Sequence, residues 1–193
     1  MRSVCVYCGS SPGRRGVYAE AARGLARELV KRDLGLVYGG ASVGIMGVVA
    51  DAVLDAGGRV TGVIPEALQE KELAHPGLTE LHVTPSMHER KTRMAALSDG
   101  FIAMPGGVGT LEELFEIWTW GQLGWHDNPC ALLNVDGFYD GLTHFLDHAT
   151  GEAFLRPAHR EMLIVESEPA RLLDRMAEYQ KPEAKTWVKK GDL

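Results

Sequence analysis

"FIAMPGGVGTLEELFEIW", residues 101–118, runs from an apolar stretch through three glycines into a helix-period pattern, with two adjacent glutamates at the junction. A short apolar run closed by Pro105-Gly106-Gly107 has the form of a buried strand stopped by a glycine turn. The residues beyond Thr110 repeat apolar side chains at helical spacing, which predicts a helix over 111–123. Strand, glycine loop and helix follow one another here within about twenty residues.

The same unit recurs along the chain. "SVCVYC", "LGLVYGG", "RVTGVIP", "TELHVTP", "CALLNVDG" and "MLIVESEP" are further strand-like runs, and helical patterns at about 16–32, 44–56, 87–98, 138–149 and 169–179 separate them. Alternating strands and helices mark a parallel α/β sheet, and near-continuous apolar strands require helices on both faces. The predicted fold is a single-domain, Rossmann-like, doubly wound parallel sheet. It spans residues 1–180, and "KPEAKTWVKKGDL", residues 181–193, reads as a loose polar tail.

Composition removes several classes of function. A net charge of −6 over 193 residues gives no basic face for nucleic acid. No apolar stretch reaches the roughly 18 residues needed to span a bilayer, and "MRSVCVYCGS" is too short an apolar run for a secretory signal. Three cysteines suit a reducing compartment, so a cytoplasmic protein is expected. Cys5 and Cys8 form C-x-x-C, yet they lie in a strand pattern that sends them to opposite faces, and no second pair completes a zinc site. They read as buried thiols. His144 and His148 stand four apart without a third ligand, so no metal is expected.

In open α/β sheets, ligands bind at the carboxyl ends of the strands. Three strand-to-helix loops are rich in small residues: Cys8 to Gly13, Gly39 to Gly47, and Pro105 to Thr110. Glycine lets backbone approach a ligand, and the helix behind it offers free N–H groups to an anion. A phosphorylated ligand follows. No Walker A lysine is present and the first loop is not G-x-G-x-x-G, so a mononucleotide or sugar phosphate is the simplest guest.

Thr110 and Glu113 have the spacing of a capping box, as do Ser86 and Glu89 in "SMHERKTRM". Either pair is explained by helix capping alone. Against that, Glu112 and Glu113 stand beside the proposed anion site, where a carboxylate repels phosphate unless it serves chemistry or meets a cation. Arg90 and Lys91 supply such cations; as a plain helix surface they would make ordinary i,i+4 pairs.

Residues 4 to about 179 resemble the Lonely Guy family of cytokinin-activating phosphoribohydrolases. Its P-G-G-x-G-T-x-x-E motif is complete from Pro105 to Glu113, and its M-H-E-R-K helix from Met87 to Lys91. "VYGGASVGIMGVVADAV", "WTWGQLGWH" and "LLNVDGFYDGL" also match, with Ala41 replacing a usual third glycine. The family is often labelled lysine decarboxylase, but no lysine-bearing cofactor motif stands in this chain.

The resemblance implies hydrolysis of the N-glycosidic bond of adenosine 5′-monophosphate, prenylated or plain, without a cofactor, releasing free cytokinin base or adenine and ribose 5-phosphate. It assigns Glu113 to stabilising positive charge on the ribose and orienting water, and Arg90 to charge stabilisation. Gly106, Gly107, Gly109 and Thr110 would hold the 5′-phosphate. Glu72, Lys91, Glu112 and Thr119 would also touch the nucleotide, Glu72 near the base. Met87 and Trp118 are candidates for a prenyl pocket, although Trp118 reads equally as core. Trp118, Trp120 and Trp125 are candidates for a dimer surface, and the family implies a homodimer. A broad purine or pyrimidine nucleoside monophosphate nucleosidase, and a noncatalytic nucleotide or cofactor carrier, remain as rival readings.

Overall fold

The computed structural model describes residues 1–69 and 74–183. Seven strands, β1 (Ser3–Tyr7), β2 (Gly35–Tyr38), β3 (Val60–Pro65), β4 (Glu80–Thr84), β5 (Phe101–Ala103), β6 (Cys130–Leu133) and β7 (Leu163–Glu166), form one sheet in the order β4-β3-β2-β1-β5-β6-β7. Every pairing is parallel. All seven strand-like runs of the sequence become strands.

Side chains alternate across this sheet, as the two-residue period requires. Val4, Val6, Leu36, Tyr38, Ile102 and Met104 enter one core, beneath α1 (Val17–Lys31), α2 (Gly44–Asp55) and α8 (Pro169–Ala177). Cys5, Tyr7, Val37, Phe101, Ala103 and Leu132 enter the other, against α4 (Met87–Ala96), α5 (Val108–Leu123) and α6 (Asp140–Gly151). Burial on both faces explains why the strands read as unbroken apolar runs. Cys5 and Cys8 fall in different cores, and burial pushes both thiols far above their ordinary range.

Two short helices, α3 (Glu66–Gln69) and α7 (Pro157–Glu161), were not anticipated, because four or five residues carry barely one helical period. A larger correction concerns α5. It starts at Val108, three residues before the predicted position, with Gly107 as its N-cap, and Gly124 ends it at φ 100°. Lys181 is anchored by bonds to the His126 carbonyl (3.2 Å) and Asp127 (3.0 Å). The rest of the expected tail, from Ala184 on, lies outside the described residues.

Candidate active site

The strand order reverses between β1 and β5. From β1 the chain turns to one face of the sheet and from β5 to the other, so a crevice opens at their carboxyl ends. The three glycine loops meet there in direct backbone contact. Gly9 N–H donates to the Pro105 carbonyl (3.2 Å), and Ile45 N–H donates to the Gly9 carbonyl (3.0 Å). A Cβ on Gly106 would lie 2.1 Å from Thr110 Oγ1, and one on Gly44 would lie 2.3 Å from the Ser10 carbonyl carbon. These glycines are required for the loops to pack.

Gly107 and Gly109 are different. A Cβ on either would meet nothing within 4 Å, and neither has a positive φ. The fold itself makes no demand for glycine at these positions, and both border the cavity. No side chain caps α5, so the N–H groups of its first turn, Val108 to Thr110, lack acceptors within the helix. Bare backbone, free donors and the positive end of the helix dipole converge on one point, which is an anion cradle.

The cavity beside this cradle measures about 540 Å³, and Arg90 and Glu113 both line it. Arg90 Nη1 donates to Glu113 Oε1 at 2.5 Å, with the two side chains only 10% and 12% exposed. The guanidinium is fixed from three sides. Its Nε donates to the Val63 carbonyl (3.0 Å), Nη1 touches Met87 Sδ (3.4 Å), and a Cβ on Gly39 would lie 2.4 Å from Nη2. Burial raises the Glu113 carboxyl above its ordinary value, and the Arg90 cation pulls in the opposite direction. Beside Arg90 in sequence, Lys91 Nζ bonds Glu112 and also Glu116 (2.9 Å).

The two candidate capping boxes resolve differently. Ser86 caps α4: its Oγ accepts from Glu89 N–H (3.2 Å) and donates to the Glu89 carboxylate (3.0 Å). Thr110 caps nothing, because it lies inside α5, and its carboxylate partner Glu113 turns to Arg90 instead. Of the residues singled out in the sequence, Met87, Arg90, Gly107, Gly109, Thr110, Glu112 and Glu113 line the cavity. Gly106 supports it from behind, and Lys91 reaches it through Glu112.

Two expectations are not met in this cavity. Trp118 is core: it is 2% exposed and its Nε1 donates to the His159 carbonyl (3.1 Å). Thr119 borders a separate groove with Phe115, Trp120, Leu123 and Trp125 on the outer side of α5. Glu72 lies outside the described residues. Conversely, the apolar wall from Val43, Met46, Ile64 and Leu68 was not foreseen. Those residues carry ordinary core patterns, and only tertiary packing brings them to the ligand side.

The profile of a family described as possible lysine decarboxylase matches residues 46–176. A cytokinin riboside 5′-monophosphate phosphoribohydrolase of Rhodococcoides fascians is 53% identical over 165 residues, covering 85% of this chain and 83% of that one. The chain belongs to the Lonely Guy family. A second Lonely Guy relative, from Arabidopsis thaliana and of the same named activity, is 48% identical over 92% of this chain and 83% of its own. A third, a probable phosphoribohydrolase of Oryza sativa subsp. japonica, is 49% identical over 92% and 73%. The Lonely Guy fold extends to more distant solved structures. The molybdenum cofactor carrier protein of Chlamydomonas reinhardtii superposes with a TM-score of 0.68 at 18% identity, covering 91% of this chain and 95% of that one. The molybdenum cofactor binding protein of Rippkaea orientalis does so with 0.69 at 19% identity, over 91% and 95%.

Proposed function

We propose that this chain hydrolyses the N-glycosidic bond of N6-prenylated adenosine 5′-monophosphate, releasing the free cytokinin base and ribose 5-phosphate. The observation that carries the reading is the Arg90–Glu113 pair, which places a carboxylate one helical turn beyond an anion cradle and inside the same cavity. The named activity of relatives 48–53% identical supports it.

The 5′-phosphate sits at the start of α5, on the backbone of Gly107 and Gly109 with the Thr110 hydroxyl. Anchored there, the ribose extends along α5 toward Glu113. As the bond from C1′ to the base nitrogen lengthens, positive charge grows on the ribose ring, and the ionised Glu113 stabilises it electrostatically. Water adds at C1′, one of its protons passes to solvent through the carboxylate, and the base leaves with the bonding electron pair and takes up a proton. Arg90 favours the ionised form of Glu113 and aims it. Lys91 and Glu112 form the outer edge of the site, and Glu72 is assigned to the base.

The apolar wall of Met46, Ile64, Leu68 and Met87 favours a prenylated base over plain adenine. The groove with Phe115, Trp120, Leu123 and Trp125 supports a homodimer, since an open apolar face on α5 needs a cover. Three buried free thiols support a cytoplasmic location. No helix among the described residues is long and apolar enough to cross a membrane.

The test is incubation of the purified protein with AMP and isopentenyl-AMP, with base and ribose 5-phosphate as readout. Release from isopentenyl-AMP at least tenfold faster than from AMP is expected. Equal rates, or a preference for CMP or UMP, would replace this reading with the broad nucleosidase. Tight binding without product would replace it with the carrier.

A further inference from the structure

A second chamber lies across a thin ridge from the nucleotide cavity. It measures about 240 Å³, and Pro12, Tyr18, Ile45, Pro105 and Phe138 form its walls. The two chambers share Gly9, Ser10 and Gly107, so the ridge between them belongs to the anion cradle itself. None of Arg90, Glu113, Met87 and Thr110 lines the second chamber.

Its chemistry differs from that of the first. The Tyr18 and Phe138 rings meet edge to face, with centroids 5.8 Å apart. Arg15 lies 5.4 Å above the Tyr18 ring and pairs with Asp136, so its charge is already matched. Asp136 holds a left-handed φ of 49° and Gly137 one of 71°. A non-glycine residue rarely adopts that conformation, and strain of this kind gathers at ligand clamps. The turn it makes delivers Phe138, a large apolar side chain left 44% exposed. An uncharged flat or apolar group matches these walls.

We propose that this chamber is a subsite for an uncharged aromatic or apolar group esterified to the nucleotide's 5′-phosphate, so that the protein also cleaves the N-glycosidic bond of nucleoside 5′-phosphodiesters. The placement rests on the function proposed above, which puts the 5′-phosphate on the shared ridge. One ester oxygen then leads to the ribose and Glu113, and another leads over Gly107 into the second chamber. The remaining charge of the diester stays on the N–H groups of α5. Only the bond between C1′ and the base breaks; water supplies the new oxygen at C1′, the base takes the proton, and the diester is untouched.

The experiment compares kcat/KM for AMP and for adenosine 5′-phenylphosphate in the native protein, Phe138→Ala and Ser11→Phe. Ser11 is an exposed residue of the chamber rim, and a ring placed there fills the space. The native protein should cleave the phenyl ester within about tenfold of AMP. Each variant should lose about tenfold or more on the ester, in keeping with the strength of one stacked ring, and less than about twofold on AMP. An ester that stays inert while AMP is cleaved, or equal losses on both substrates, overturns the proposal. Calorimetry with phenyl phosphate and inorganic phosphate keeps the two readings separable. Tighter binding of phenyl phosphate, lost in Phe138→Ala, upholds the chamber even where no nucleotide is cleaved; equal affinities overturn it. If AMP is not cleaved while the phenyl preference stands, the proposed hydrolysis fails and the subsite survives.

Discussion

Ser86-x-x-Glu89 and Thr110-x-x-Glu113 have the same spacing, and each stands at the junction of a strand and a helix. Only the first is a cap. Ser86 follows Pro85 in extended backbone (φ −139°, ψ 163°), so its hydroxyl meets the free N–H of Glu89 and α4 starts where the pattern says. Thr110 follows Gly106, Gly107 and Gly109, and α5 begins on those glycines instead. The helix gains one turn at its start, Thr110 moves inside it, and Glu113 turns from its own backbone to Arg90. A glycine run that moves a helix start by three residues thus turns a would-be capping carboxylate into one that lines the cavity and pairs with Arg90.

The largest effect that sharpens this contrast is on turnover. Glu113→Gln removes the charge that the proposed mechanism sets against the reacting carbon while preserving shape, and kcat should fall about 10³-fold with nucleotide affinity within a few-fold. Glu89→Gln should leave kcat within about twofold. Steady-state kinetics of both variants on isopentenyl-AMP check this, and similar losses in the two would erase the distinction.

The fold was legible in the chain because burial on both faces writes each strand as an apolar run, and all seven became strands. Arg90 and Glu113 were legible as members of two motifs, but their contact was not. It spans 23 residues of sequence and depends on α4 and α5 both packing against the same face of the sheet. The Val63 carbonyl that holds Arg90 left no local signal at all, since a backbone oxygen carries no residue identity. Trp118 was ambiguous for a related reason: an aromatic at helical spacing faces core or ligand according to the helix's rotation. Once α5 is placed, the indole points to the His159 carbonyl.

A second, smaller effect divides the glycines themselves. Gly107→Ala and Gly109→Ala place a methyl in open space, so thermal stability should hold or rise, by up to about 1 kcal/mol at Gly109 within the helix. That methyl would stand on the proposed phosphate site, and KM for AMP should rise about tenfold or more. Gly106→Ala, driven into Thr110 and Gly9, should instead lower stability by about 2 kcal/mol, in line with an overpacked core. Thermal melts alongside KM values decide whether the loop glycines divide into packing and ligand classes in this way.

The pH profile tests whether Glu113 belongs to the site. Because burial raises its folded pKa, the ionised form is reached at higher pH than for an exposed glutamate, whose value is about 4.3. The acid limb of kcat/KM should therefore lie above that value. Arg90→Gln removes the opposing cation and should move the limb higher still. The stability consequence has a definite sign. A carboxyl with a raised folded pKa contributes most below its unfolded pKa, and that contribution is lost as pH rises through the folded pKa. Glu113→Gln should remove this loss from the melting curve, whereas Glu89→Gln should not.

The smallest effect lies on the capping side of the comparison. Ser86→Ala removes the side-chain acceptor of Glu89 N–H at the exposed start of α4, and such losses typically cost about 1 kcal/mol. Thr110→Ser keeps a hydroxyl inside a helix whose start is set by Gly107, so the melting temperature should barely move. α4 also carries Arg90 three residues further on, so fraying of its first turn by Ser86→Ala should loosen the guanidinium's aim and lower kcat by about twofold. A Ser86→Asp variant restores the cap and should restore both quantities. Loss of stability without any change in kcat would show that the Val63 carbonyl and Glu113 hold Arg90 without help from the cap.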